Sequence, residues 1–416
     1  GDFPPDLGDV ADGMVFGPGA SLSHPRNKGA SIHKLSNSSA FVGMEEEVQW
    51  LCENTAMGEL MVSESFDEDF VILAERSPKV EWFDYARLAF VPKSISEKRS
   101  IEVGPSLATL FQQAYDKFIR RRLKAGWGVD LKRQEPNQVL AYEGSIRGSH
   151  GNSPCTLDLS AASDRISFGL VASLLPESWT RTLSRYRAKK VLVPDGTFVT
   201  LEKFASMGNA LTFSLQTLIF GAVVRSVLRD RGSEGSRWRV YGDDIIVPYR
   251  IYDDVVSRLE LFGFKVNAEK SHNRGFFRES CGADYLHGTN VRPLYIKEPI
   301  KTVADLYKYL NLLQIIANRA PIPASEYKAA YAMLLSVVPR ELFLLGDPRH
   351  GLDSCIWSSL VDGGVVLHRR QSRKNVPDKL AYLSRLFLGY RPPVPSERVD
   401  GRTIEHRDMM LRRIDD

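Results

Sequence analysis

The chain has 416 residues, a net charge of +4, 43% hydrophobic residues and 25% charged residues. That balance belongs to a globular protein and excludes a disordered or collagen-like chain. The length exceeds what one hydrophobic core serves, so roughly two or three subdomains are expected.

The four cysteines are widely scattered, and no CxxC pair occurs. Neither a zinc ribbon nor a disulfide framework is suggested, and a reducing cytoplasm is the simplest setting. No apolar run approaches the roughly 20 residues that span a bilayer, so no membrane partner is expected. No signal peptide opens the chain, and Gly1 marks a processed, tagged or truncated start.

The first 40 or so residues, rich in Gly, Pro, Ser and Asp, read as irregular structure. A strong helix follows Pro105, with Ser106 as its expected N-cap and Gly126 near its end. Leu107, Leu110, Phe111, Ala114, Tyr115, Phe118 and Ile119 recur along it at helical spacing. Lys117, Arg120, Arg121, Arg122, Lys124, Lys132 and Arg133 form a basic stripe, and Arg369, Arg370, Arg373 and Lys374 a second cluster. Such stripes suit a phosphate backbone, but a solvated face explains either one equally well.

Residues 155–159 read as a short buried strand carrying Asp158, followed by a helix over 166–175. A hairpin is expected over 190–201, around Asp195-Gly196, and a long helix over 212–229. Two β-rich runs then flank Gly242-Asp243-Asp244, which predicts a hairpin. A helix over 253–262 and a strand over 264–266 follow. From Thr302 the pattern is helical, with Leu306, Leu310, Leu313 and Ala317 on one stripe and a further helix over 325–338. The tail beyond Pro392 is charged. This order is α+β, with helices on one face of an antiparallel sheet.

Asp158, Asp243 and Asp244 are the residues that point to chemistry. If their strands are neighbours, the three carboxylates converge at one sheet edge. Each alone is ordinary turn or cap chemistry. Together, beside Ile245 and Ile246, they repel one another unless cations neutralise them. With no Cys or His nearby, a hard oxygen-seeking ion such as Mg2+ or Mn2+ is the natural partner.

The segment from Val240 to Pro248, around Tyr241-Gly242-Asp243-Asp244, resembles motif C of the RNA-dependent RNA polymerases of single-stranded RNA bacteriophages, the levivirus-like replicase β subunits. Thr156 through Asp164 resembles their motif A, and Ser206-Met207-Gly208-Asn209 followed by Thr212-Phe213 their motif B. Phe277 through Gly282 is similar to motif E, and Val91-Pro92-Lys93 through Lys98-Arg99 to motif F. The motifs occur in the family's order over roughly residues 14–300, which is far more specific than any one of them.

The resemblance implies a right-hand fold with fingers, an antiparallel-sheet palm and a helical thumb. Fingers are expected over 1–150, shortened at the N-terminus relative to the family, with an insertion over 181–205. The palm is expected over 151–180 and 206–290, and thumb and tail over 291–416. The implied activity is RNA synthesis on an RNA template, replicating a positive-strand phage genome in the cytoplasm of the infected bacterium. A reverse transcriptase and an inactive remnant that only binds RNA are the alternatives.

Site roles follow from the same resemblance. Asp158, Asp243 and Asp244 are expected to hold two Mg2+ ions, with Mn2+ as a substitute. Lys270 is the expected general acid. Lys93, Lys98 and Arg99 are expected at the triphosphate, Asp164 and Asn209 at the ribose, and Ser206 and Gly208 in the loop nearest template and nucleotide. Implied partners are template and nascent RNA, rNTPs, host elongation factors Tu and Ts, and a ribosomal protein.

Overall fold

The computed structural model describes residues 3–63, 77–93, 97–293, 299–319, 324–346 and 351–357, with the short pairs 398–399 and 402–403. The second basic cluster, Arg369 to Lys374, lies outside these residues, as does most of the tail beyond Pro392. The chain divides into two compact units, one ending at Gly288 and the other beginning at Thr289.

In chain order the first unit contains strands β1 (Ala86–Pro92) and β2 (Lys98–Val103), then helices α1 (Ser106–Trp127) and α2 (Glu135–Arg147). Strands β3 (Pro154–Leu157), β4 (Leu159–Ser160), β5 (Lys190–Leu192) and β6 (Phe198–Thr200) follow, then helix α3 (Thr212–Asp230). Next come β7 (Arg239–Tyr241), β8 (Asp244–Pro248), α4 (Tyr252–Leu261), β9 (Lys265–Val266), β10 (Phe277–Ser280) and β11 (Ala283–Leu286).

The expected hairpin around Gly242 is present as antiparallel β7–β8, and β8 also pairs antiparallel with β3. Every residue of β3 is buried, as is β8 from Ile245 on. Helix α2 packs on β3, β7 and β8, α3 packs on β7, and α1 packs on α3. Helix α3 buries Leu215, Ile219, Phe220, Val223, Val224, Val227 and Leu228, and α1 buries Leu107, Leu110, Phe111, Ala114, Tyr115, Ile119 and Leu123. Both stripes follow the 3.6-residue period that the sequence displays.

A second sheet has the order β6–β5–β1–β2. Strand β5 runs parallel to β1, pairing Val191 with Ala86 and Leu192 with Arg87. The 190–201 hairpin therefore joins the same sheet as the β1–β2 hairpin.

Some local expectations are corrected. Ser106 does not cap α1. Pro105 takes that position, and the Ser106 hydroxyl instead accepts from the Ser39 backbone N–H at 3.0 Å. The helix runs past Gly126 to Trp127 and stops at left-handed Gly128. The helix expected over 166–175 begins at Phe168, because Ser167 caps it by accepting from the Leu170 N–H at 3.1 Å.

The first basic stripe is largely an ion-paired surface. Arg120 meets Asp116 at 2.6 Å, Arg121 meets Asp12 at 3.0 Å, and Lys124 meets Asp130 at 2.7 Å. These carboxylates offset charge that a phosphate backbone would otherwise read.

The second unit is built on helices α5 (Val303–Arg319) and α6 (Ala324–Ser336). Thr302 and Asp305 form a reciprocal cap: the Asp305 N–H donates to Thr302 Oγ1 at 3.2 Å, and the Thr302 N–H to Asp305 Oδ2 at 3.0 Å. Leu306 and Leu310 are buried with Tyr307, Val338 and Ile356, whereas Leu313 and Ala317 are half-buried. Among the described residues, no helix is long and apolar enough to cross a membrane.

Candidate active site

Strand pairing brings the two acid-bearing segments together. Leu157 lies opposite Ile245, so by the same antiparallel register Asp158 comes level with Asp244, one residue from Asp243 on the turn. At Asp158 the chain changes partner: β3 pairs with β8, whereas β4, after it, pairs with β9. The segment after β9 then wraps around Asp158. Asn267 Nδ2 donates to Asp158 Oδ2 at 3.1 Å, and the Asp158 N–H donates to Ser271 Oγ at 3.0 Å.

Gly242 has φ +64, and its N–H donates to Thr217 Oγ1 at 3.0 Å. A Cβ there would lie 2.4 Å from the Phe213 ring, which itself packs edge-on against Tyr241. Helix α3 thus fixes the turn that presents Asp243. Asp158 and Asp243 both line one cleft of about 850 Å³.

Asp244 does not line this cleft. Neighbouring residues of a strand face opposite ways, and Asp244 opens β8. Its Oδ1 accepts from Ser280 Oγ at 3.1 Å and from the Cys281 N–H at 3.0 Å. It is thereby anchored to the β10–β11 hairpin, and burial raises its pKa.

The Asp158 carboxyl is pushed up to about 6, first by burial and then by the charge of Asp243; Lys270 and Asn267 act against the shift. In the folded chain, proton binding to Asp158 is therefore favoured. The stability this contributes is full below its ordinary value of 3.8 and is lost as pH rises through about 6. With divalent ions chelated, Asp243→Asn is accordingly expected to raise the melting temperature at pH 7.5 by about 2 °C. The gain should shrink at pH 5, where Asp158 takes up its proton. Melts in EDTA at the two pH values check this, and a fall at pH 7.5 would show that the two carboxylates do not strain the fold.

The remaining candidates divide clearly. Lys93, Lys98, Arg99, Asp164, Gly208, Asn209 and Lys270 all line the same cleft. Lys98 and Arg99 sit on β2, opposite Pro92 and Val91, and Lys93 pairs with Glu97 at 2.9 Å on an exposed surface. Such a pair holds little free energy, so Lys93 can exchange it for a phosphate. Gly208, at φ +105, is pressed onto β2: the Glu102 N–H donates to the Met207 carbonyl at 2.7 Å, and a Cβ on Gly208 would lie 2.1 Å from the Glu102 carbonyl oxygen. Asn209 Oδ1 accepts from the Leu211 N–H at 2.9 Å. Ser206 lies outside the cleft, buried beside Glu102. Asp164, on the short turn of residues 163–165, meets Lys203 at 2.6 Å.

Sequence reasoning missed Asn267, Ser271, Lys203 and Arg278 as supporting residues. Arg278 is fully buried and donates to the carbonyls of Pro154 (2.8 Å), Gly148 (3.1 Å) and Gly275 (3.1 Å), tying β10 to the root of β3. An isolated arginine in a strand gives no sign of this.

Among the described residues no set of three or more His, Cys, Asp or Glu side chains is grouped to share one metal ion. The donor chemistry nevertheless fits a hard divalent cation. Two carboxylates, one of them resisting ionisation, face a cleft that Lys93, Lys98, Arg99 and Lys270 also line, and Mg2+ commonly takes one or two carboxylates and completes its shell with water and phosphate.

An acid pair at a β-hairpin turn, faced by basic residues across one cleft, defines a class of site suited to phosphoryl chemistry. The chain belongs to the family described as RNA replicase, beta-chain, whose model matches residues 3–376. It is 39% identical over 252 residues to the RNA-directed RNA polymerase subunit beta of Escherichia virus Qbeta, a match covering 61% of this chain and 42% of that protein. It is 42% identical over 224 residues to the RNA-directed RNA polymerase beta chain of Escherichia phage MS2, covering 54% of this chain and 40% of that one. The matches thus span less than half of these relatives' lengths. Among solved structures, the RNA-dependent RNA polymerase of a human picobirnavirus aligns over 81% of this chain and 70% of its own, at 12% identity and a TM-score of 0.43.

Proposed function

We propose that this chain synthesises RNA on an RNA template, as the catalytic part of a phage replicase acting in the bacterial cytoplasm. The observation that carries the reading is that the Asp158–Asp243 pair, the basic residues Lys93, Lys98, Arg99 and Lys270, and the sugar-facing candidates Asp164 and Asn209 line a single cleft. In this reading residues 1–150 and 181–205 are fingers, 151–180 and 206–290 the palm, and the chain from 291 the thumb and tail.

Asp158 and Asp243 would hold two Mg2+ ions, or Mn2+ in their place, which when bound supply activation of the attacking 3′-hydroxyl and neutralisation of the phosphates. Asp244 supports this pair from behind through Ser280 and Cys281. Lys93, Lys98 and Arg99 bind the triphosphate by charge and hydrogen bonds. Asp164 accepts from the ribose 2′-hydroxyl, and the Asn209 amide assists. Lys270 donates the proton that the departing pyrophosphate takes up. Lys270→Leu is expected to slow incorporation about 100-fold with nucleotide affinity nearly intact. Pre-steady-state titration of nucleotide separates the two, and equal losses in rate and affinity would remove the general-acid role.

The test of the function is extension of an RNA primer on an RNA template with rNTPs or dNTPs, repeated with host cytoplasmic extract. The extract supplies elongation factors Tu and Ts and the ribosomal protein that the family reading implies. Templated rNTP incorporation is expected. Preference for dNTPs would indicate a reverse transcriptase, and RNA binding without extension an inactive remnant.

A further inference from the structure

Asp164 reaches the cleft with one oxygen already engaged. Lys203 Nζ donates to its Oδ1 at 2.6 Å, and the two side chains are 22% (Lys203) and 40% (Asp164) exposed. Lys203 does not line the cleft, so it meets Asp164 from behind.

Its backbone is pinned on two sides. On one, Ser167 and Lys203 form an antiparallel bridge, flanked by Phe168 N–H to Glu202 carbonyl at 2.8 Å and Phe204 N–H to Ile166 carbonyl at 2.7 Å. On the other, buried Arg187 donates Nε to the Phe204 carbonyl at 3.1 Å, and Nη2 to the carbonyls of Leu201 at 2.9 Å and Lys203 at 3.0 Å. Buried Glu102 lies within electrostatic reach of both Arg187 and Lys203. A lysine on a segment held this firmly has few ways to move, and a charge-assisted bond of this length orients its acceptor.

We propose that Lys203 is a specificity-determining positioning residue: it holds one carboxylate oxygen of Asp164 so that the other is set to accept from the ribose 2′-hydroxyl, and so favours ribonucleotides over deoxyribonucleotides. The inference rests on the reading of Asp164 given above. Without Lys203, Asp164 on its short turn samples several rotamers, and the advantage of a placed acceptor falls. A deoxyribonucleotide leaves that acceptor unpaired whatever its orientation, so it gains nothing from the placement.

The experiment compares kcat/KM for rNTP and dNTP of one base in primer extension by wild type, Lys203→Ala, Lys203→Arg and Asp164→Asn, with thermal melts to verify folding. Lys203→Ala is expected to lower the rNTP:dNTP ratio roughly fivefold, the upper end of what a solvent-touching ion pair holds. Lys203→Arg should restore it to within about twofold. An unchanged ratio in Lys203→Ala while Asp164→Asn lowers it overturns the proposal and leaves the sugar role of Asp164 standing. Equal loss for both nucleotides in Lys203→Ala, unrescued by arginine, overturns it in favour of a purely structural role. An unchanged ratio in Asp164→Asn removes the sugar role itself, and the proposal with it.

Discussion

Asp243→Asn is expected to lower single-nucleotide addition at least about 1000-fold, whereas Asp244→Asn should stay within about tenfold of wild type. The two residues are adjacent in sequence, yet the structure gives them different surroundings. Asp243 lies on the turn and lines the cleft with Asp158. Asp244 is turned into the protein, where Oδ1 accepts two hydrogen bonds from Ser280 and Cys281. An asparagine at 244 keeps an acceptor oxygen for both donors and sheds a charge that burial disfavours. An asparagine at 243 removes half of the acid pair that would hold the cation. Asp244→Ala leaves the two donors without their acceptor and should cost more than Asp244→Asn. Rapid-quench primer extension with the three variants measures this, and equal loss in Asp243→Asn and Asp244→Asn would mean that Asp244 acts in the cleft after all.

Gly208→Ala is expected to reduce the addition rate about 100-fold and to lower stability as well. The position has a left-handed φ of +105, and a methyl group would sit 2.1 Å from a backbone carbonyl oxygen of β2. That oxygen belongs to Glu102, whose N–H is bonded to Met207, so neither side can yield alone. The loop would have to leave β2, carrying Asn209 away from the cleft and loosening the strand that bears Lys98 and Arg99. Extension rate and melting temperature together check this. Wild-type values for both would show that the loop is not held against β2.

The acid pair was legible because each aspartate ends an apolar β-rich run, and buried strands at those positions must pair. The long helices were legible from their periodic apolar stripes. What the sequence hid is of two kinds. The linear motif sets Asp244 beside Asp243 but does not announce that its Oδ1 is held by Ser280 and Cys281, 36 and 37 residues further on. Lys203 and Arg278 were invisible because their partners are remote: 39 residues separate Lys203 from Asp164, and 124 separate Arg278 from Pro154. Local propensity says nothing about such contacts. Ser106 shows the same limit on a smaller scale, since a good capping residue was drawn off by Ser39, 67 residues away.

In the proposed function, Asp158 and Asp243 together make RNA synthesis depend on a divalent cation. The most direct measurement is the rate of single-nucleotide addition to a preformed RNA primer–template against Mg2+ concentration, for wild type and Asp158→Asn. A saturable Mg2+ dependence in wild type and a flat background rate in the variant at every concentration is the predicted result. Addition by wild type in excess EDTA, or wild-type rates in Asp158→Asn, would contradict it.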